Sequence, residues 1–144
     1  MMKKILLSLV VVGFAACSGS DDESNVELYL TSDGVQKPYF VEASDGPNAD
    51  GDEAVLVYAD RNDEQQLTFD VVSGVSGDNV VDHVEFVPDI ATGTVFYPTD
   101  VFFSEVTANT ETRLKGNFSG NVTDGETEQY IECTFNIKKN TSGN

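Results

Sequence analysis

The side chains that most often carry catalysis are sparse in this 144-residue chain. His83 is the only histidine, so a hydrolase of the Ser-His-Asp type would depend on it. No serine elbow of the Gly-x-Ser-x-Gly kind accompanies it, and we expect His83 on the surface of a strand, beside outward Glu85. Zinc and iron–sulfur sites need clusters of histidine and cysteine, which His83 and Cys133 alone cannot supply. We therefore expect no enzyme, and a small hydrolase with a carboxylate pair is the least favoured alternative.

One acidic loop has the composition of a weak calcium site. An EF-type loop places oxygen ligands at alternate positions before a glycine, and Asn48, Asp50 and Gly51 fit its third, fifth and sixth positions. The first position is Gly46 and the twelfth is Val57, so the standard loop is absent. We expect no tightly bound cofactor and at most weak calcium binding, with a solvated turn as the alternative. The candidate calcium ligands are Asp45, Asn48, Asp50, Asp52 and Glu53.

A group of aromatic residues near Pro98 is a candidate contact surface. Core packing is the favoured interpretation, and an exposed binding patch of Phe96, Tyr97 and Phe102 is the alternative. Exposure of these rings, and of Tyr130, would favour a binding role.

The third candidate for chemistry is Cys17, near the N-terminus. Lys3 and Lys4 precede an apolar run over residues 5–16, which is the layout of a secretory signal peptide. The run has 12 residues, fewer than the approximately 20 that span a bilayer. Ala15-Ala16-Cys17 resembles the lipobox of bacterial lipoproteins, with Phe14 where that family prefers leucine. The resemblance implies a signal peptide over residues 1–16 and lipid attachment to Cys17; ordinary cleavage that leaves a free thiol is the alternative.

An acidic segment, Ser18–Ser24, follows this cysteine directly. Residues 17–25 are therefore predicted to form a tether, which such composition favours in any case. The segment is similar to the tether of Bacteroidota lipoproteins, where it resembles an export signal to the cell surface. The resemblance implies an exported protein, lipid-anchored to the outer membrane at the cell surface of a Gram-negative bacterium.

The charge of the chain excludes one class of partner. Loss of the two signal-peptide lysines changes the formal net charge from −17 to −19. Such a chain repels phosphate backbones, so we expect no nucleic-acid binding. Anionic membrane surfaces repel it as well, which leaves the N-terminal lipid as the expected membrane contact.

Short runs with a period of two follow Asn25, and we find no convincing amphipathic helix. Eight or nine short strands predict an all-β fold, an antiparallel β-sandwich, with a β-barrel as the alternative. We expect one domain over residues 26–140 and a tail over residues 141–144.

The clearest element is a C-terminal hairpin that turns at Asp124-Gly125. Two of its core positions, Gly116 and Gly120, are predicted to admit a bulky ring from the facing sheet beside Phe118. Its predicted core face, which includes an inert Cys133 thiol, consists of Leu114, Gly116, Phe118, Gly120, Val122, Ile131, Cys133, Phe135 and Ile137.

The stretch Leu114–Gly120, with its closing strand, resembles the C-terminal part of small all-β cell-envelope lipoproteins of the Bacteroidota type, whose function is uncharacterised. This resemblance implies a fold and a location, and no activity. We expect a lipid-anchored binding or adhesion module for a glycan or a protein partner. The alternative is a structural accessory lipoprotein of the outer membrane that has no ligand.

Overall fold

The computed structural model describes residues 26–139, which form ten strands. Apolar and polar residues alternate most regularly in the two C-terminal strands, where buried and exposed positions follow one another. The predicted signal peptide, the tether with Cys17, and the tail lie outside the described residues. No helix between residues 26 and 139 is long and apolar enough to cross a membrane. The strands are β1 Leu28–Ser32, β2 Val35–Pro38, β3 Phe40–Pro47, β4 Glu53–Arg61, β5 Gln65–Val72, β6 Gly77–Asp78, β7 Val81–Val87, β8 Tyr97–Asn109, β9 Arg113–Thr123 and β10 Glu128–Lys138.

These strands form two antiparallel sheets that pack as a sandwich. The larger sheet has the order β2-β1-β10-β9-β8-β6, and the smaller sheet has the order β3-β4-β5-β7. The predicted all-β sandwich is thus confirmed, and the barrel alternative is wrong because the two sheets do not close on each other. The count of eight or nine was low, because β2 and the two-residue β6 are separate strands.

The core is organised around phenylalanine rings from both sheets. Phe69 of the four-stranded sheet packs edge-to-face on Phe118, with ring centroids 5.3 Å apart. It also contacts Phe135 at 5.1 Å, so one ring bridges two strands of the opposite sheet. Such pairs are worth about 0.5–1.5 kcal/mol beyond the area they bury.

The predicted core face of the C-terminal hairpin is confirmed. Its apolar residues from Leu114 to Ile137 are all buried. Cys133 is 1% exposed, and burial raises the pKa of its thiol. The inert-thiol interpretation is therefore consistent with the surroundings of Cys133.

The two core glycines admit a neighbouring backbone, which corrects the prediction that they admit a ring from the facing sheet. A Cβ on Gly116 would lie 2.3 Å from the carbonyl oxygen of Glu105. A Cβ on Gly120 would lie 2.3 Å from the carbonyl oxygen of Val101. Both carbonyls belong to β8, whose register with β9 shifts twice. Glycine at these positions therefore lets an irregular strand approach closely.

One strand departs from the predicted alternation. The sequence predicts Val80, Val84 and Phe86 on one face of this strand, but Val81 takes the buried place of Val80. The pairing of β7 with β5 shifts here, which is a β-bulge. His83 lies in the bulge with φ of 54°. The extra residue places Val81 and Val84 on the same face although they are three positions apart.

We predict that Gly116→Ala destabilises the fold by about 1–3 kcal/mol, because an added methyl group overpacks the contact with β8. Gly46→Ala is the control, since its Cβ would make an ordinary 3.4 Å contact with Leu56 Cδ1. Urea denaturation measures both. Equal stability of the two variants would contradict the close approach of β8 and β9.

Candidate functional site

The outward side chains of the four-stranded sheet form a surface with two rows. One row runs across the four strands and consists of Glu42, Tyr58, Thr68 and Glu85. The adjacent row contains Asp70, and His83 joins it at the bulge. We call this surface the acidic face; its residues are Glu42, Ser44, Leu56, Tyr58, Thr68, Asp70, His83 and Glu85.

A cleft of about 820 Å³ lies along the acidic face. All eight residues of the acidic face line the cleft. The cleft also extends to Glu27, which directly precedes β1, and to Ile137 and Lys138 of β10. A groove of about 430 Å³ adjoins it and shares Glu42 and Tyr58 with it. Concave surfaces with a few convergent polar groups are the usual places for ligand binding.

Two exposed aromatic rings lie in the groove. Phe40 is 71% exposed and Tyr58 is 42% exposed. The register of β3 and β4 places each ring opposite a carboxylate: Phe40 opposite Asp60, and Tyr58 opposite Glu42. The two rings are therefore diagonal neighbours on one face.

An imidazole joins two acidic groups at one end of the face. His83 Nδ1 lies 2.8 Å from Oδ2 of Asp70, and its Nε2 lies 3.4 Å from Oδ2 of Asp50. Asp70 is only 6% exposed, and its other oxygen accepts a hydrogen bond from Asn48 Nδ2 at 3.2 Å. A buried carboxylate requires such partners. The bulge in β7 brings His83 to Asp70, and the β3–β4 loop brings the other two groups.

The acidic surroundings favour the charged imidazole. Burial lowers the pKa of His83, but the hydrogen bond with Asp70 and the nearby carboxylates outweigh burial and raise that pKa above its ordinary value. Burial raises the pKa of Asp82, against the opposing charge of His83. The contacts of His83 therefore form ion pairs with Asp70 and Asp50 whenever the imidazole is protonated.

This geometry differs from that of a nucleophile and its base. Both nitrogens of His83 face carboxylates, and no hydroxyl among the described residues is hydrogen-bonded to them. Ser44 shares a row with Asp70, but Leu56 of β4 lies between them, a separation of about 10 Å at the backbone. A Ser-His-Asp arrangement would need direct hydrogen bonds between these groups.

The five predicted calcium ligands occupy the β3–β4 hairpin without converging. Asn48 Oδ1 accepts the backbone N–H groups of Asp50 and Asp52, at 2.9 and 3.0 Å. Asp45 and Glu53 are exposed residues of the flanking strands. Over residues 26–139 no three His, Cys, Asp or Glu side chains are grouped so as to hold a metal ion. Weak calcium binding stays a prediction.

The exposed patch near Pro98, the alternative to core packing, is not formed. Phe96 is buried and hydrogen-bonds through its backbone to Phe86, and Phe102 packs on Phe118 with centroids 5.3 Å apart. Tyr97 alone of the three is exposed. The favoured interpretation, core packing, holds for Phe96 and Phe102.

Sequence reasoning missed Asp70, Phe40 and Tyr58 as site residues. Phe40 follows Pro38 at a strand start, and Tyr58 alternates with buried Val57 and Ala59, which was a usable signal of an outward ring. Asp70 alternates with core residues in the same manner, but its burial depends on groups distant in sequence.

Comparison of the chain with protein-family models, curated proteins and solved structures gives no match.

We predict that the pKa of His83 lies above the ordinary value of about 6.5. A raised native pKa gives stability that is complete below the unfolded value and is lost as pH rises through the native value. Because His83 is the only histidine, its imidazole resonance in NMR titration is unambiguous. Asp70→Asn should lower the pKa and flatten the fall in stability at high pH; a wild-type pKa at or below 6.5 would contradict the ion pairs.

Proposed function

We propose that the protein is a lipid-anchored binding module of the cell envelope, exposed at the cell surface and without catalytic activity. Cys17 would hold the lipid, and the acidic face would hold the partner. The observation that carries the proposal is the cleft with its adjoining groove, in which Phe40 and Tyr58 are exposed between carboxylates.

Two properties of this surface favour binding. Large exposed rings on one concave surface leave apolar area in water that a partner would bury. The flanking carboxylates and the hydroxyl groups of Ser44 and Thr68 offer hydrogen-bonding atoms within the same cleft. Contact surfaces commonly combine aromatic anchors with a polar surround in this manner.

The opposite outer face is less suited to the role. Phe103 and Tyr130 are exposed there, but β9 separates their strands. The groove of about 390 Å³ on the six-stranded sheet includes neither ring. Phe103 and Tyr130 therefore serve as the matched control for substitutions on the acidic face.

Lipidation is the first test of the proposal. We predict that radiolabelled palmitate enters the wild-type protein in cells and does not enter Cys17→Ala. The variant should accumulate as a precursor or as protein released from membranes. Label that persists in Cys17→Ala would refute attachment at that cysteine.

The second test locates the binding surface without assuming a ligand. Full-length protein in neutral detergent is screened by saturation-transfer NMR against oligosaccharides and against peptides of positive, negative and zero charge. We predict that at least one class binds and that Phe40→Ala/Tyr58→Ala weakens it about tenfold or more, the loss expected of aromatic anchors.

Phe103→Ala/Tyr130→Ala removes two comparably exposed rings from the other face and should leave that binding unchanged. Loss of binding in this control pair alone, or no binding by any class, would contradict the proposed function.

A further inference from the structure

We infer that the ligand of the acidic face is an extended segment of a partner protein that carries lysine or arginine at alternate positions. The inference rests on the proposed function and names its ligand class. Three features lead to it: the charge of the surface, the pairing of rings with carboxylates, and the free edge of β3.

The charge of this region is one-sided. Arg61 is the only lysine or arginine between positions 38 and 112, a range that contains the whole four-stranded sheet. His83 is the one basic group on the acidic face, and both of its nitrogens already face carboxylates. Carboxylates outnumber basic groups along the cleft, where Lys138 is the one lysine of the lining, and a predominantly negative cleft concentrates ligands of positive charge. Anionic partners are thereby disfavoured, and neutral glycans gain nothing from this field.

The exposed rings make the attraction specific for organic cations. Lysine and arginine bind favourably over the faces of aromatic rings. Phe40 lies opposite Asp60, and Tyr58 lies opposite Glu42, so each ring has a carboxylate as its cross-strand neighbour. A side chain that places its alkyl stem on a ring can therefore bring its charged head to a carboxylate.

The edge of the sheet indicates an extended ligand. β3 forms one edge of the four-stranded sheet, and its residues from Val41 to Ser44 line the cleft. The hydrogen bond from Asn48 N to Asp52 O sets the alternation of the β3–β4 ladder. Hydrogen-bonded pairs recur at every second residue of this ladder, so the backbone groups of Phe40, Glu42 and Ser44 are bonded to β4. The backbone groups of Val41 and Ala43 therefore point away from β4, toward the free side of β3.

A partner strand added at this edge would gain main-chain hydrogen bonds there. Every second side chain of the added strand would lie on the outer face, beside Phe40 and Glu42. Asp45 and Pro47 oppose pairing at the other end of β3, because edge charges and proline block strand addition. Just before β3, the backbone N–H of Tyr39 already donates to the carbonyl oxygen of Leu28 at 3.0 Å, so the accessible edge is confined to residues 41–44.

The test uses a ten-residue peptide of alternating lysine and threonine as the probe. Titration calorimetry with full-length protein in neutral detergent should detect its binding, and a peptide of alternating glutamate and threonine should not bind. Phe40→Ala/Tyr58→Ala should weaken binding at least tenfold, whereas Phe103→Ala/Tyr130→Ala should leave it unchanged.

A charge-matched pair separates site binding from general attraction. Glu42→Gln/Glu85→Gln and Glu105→Gln/Glu132→Gln lower the net negative charge equally, on opposite sheets. The first pair should weaken binding at least tenfold and the second less than twofold. Thermal melts check that each variant is folded, and these exposed side chains are expected to permit it.

Four outcomes would overturn the inference. Equal weakening by both glutamate pairs would mean nonspecific polyelectrolyte attraction. Stronger binding of a peptide with its lysines in one block would contradict strand addition. If the neutral probe maltohexaose binds through Phe40 and Tyr58 while the lysine peptide does not, that result would refute the basic ligand and leave the proposed function standing. If neither maltohexaose nor the lysine peptide binds, the result counts against both the basic ligand and the proposed function.

Discussion

Phe69 lies between Phe118 and Phe135 and connects the two sheets through ring contacts of 5.3 and 5.1 Å. The chain has no disulfide among residues 26–139, where Cys133 is a free buried thiol, so packing of this kind holds the sandwich together. Since side chains alternate along a strand, the same strand that directs Phe69 inward directs Asp70 outward. The position of the acidic face therefore follows from the core contact.

The outer side of β5 shows how a buried acid is accommodated. Asp70 is almost fully buried, which would be unfavourable for an unpaired carboxylate. His83 and Asn48 supply its partners, and His83 reaches it only because β7 bulges and takes a positive φ at that residue. Non-glycine residues with positive φ are uncommon and often mark functional sites. The local strain thus lies beside the cleft that carries the proposed function.

The period of two along β9 and β10 was sufficient to predict which residues enter the core, because a one-residue slip would have exposed the whole apolar set. The bulge at His83 was not predictable in this manner, since one inserted residue changes the face of every side chain before it. The burial of Asp70 depends on groups 13 and 22 positions away, which strand patterning does not encode. Phe96 was ambiguous for a similar reason: its burial follows from an isolated bridge to Phe86.

The proposed partner contacts the outer face of the four-stranded sheet, at the cell surface. The most direct measurement places a photo-reactive phenylalanine analogue at Tyr58, or at Phe103 as the control, in the full-length protein displayed on living cells. Irradiation is predicted to give a discrete cross-linked product from the position of Tyr58 and none from that of Phe103. A product from the Phe103 position alone, or none from either position, would contradict the assignment of the acidic face as the contact surface.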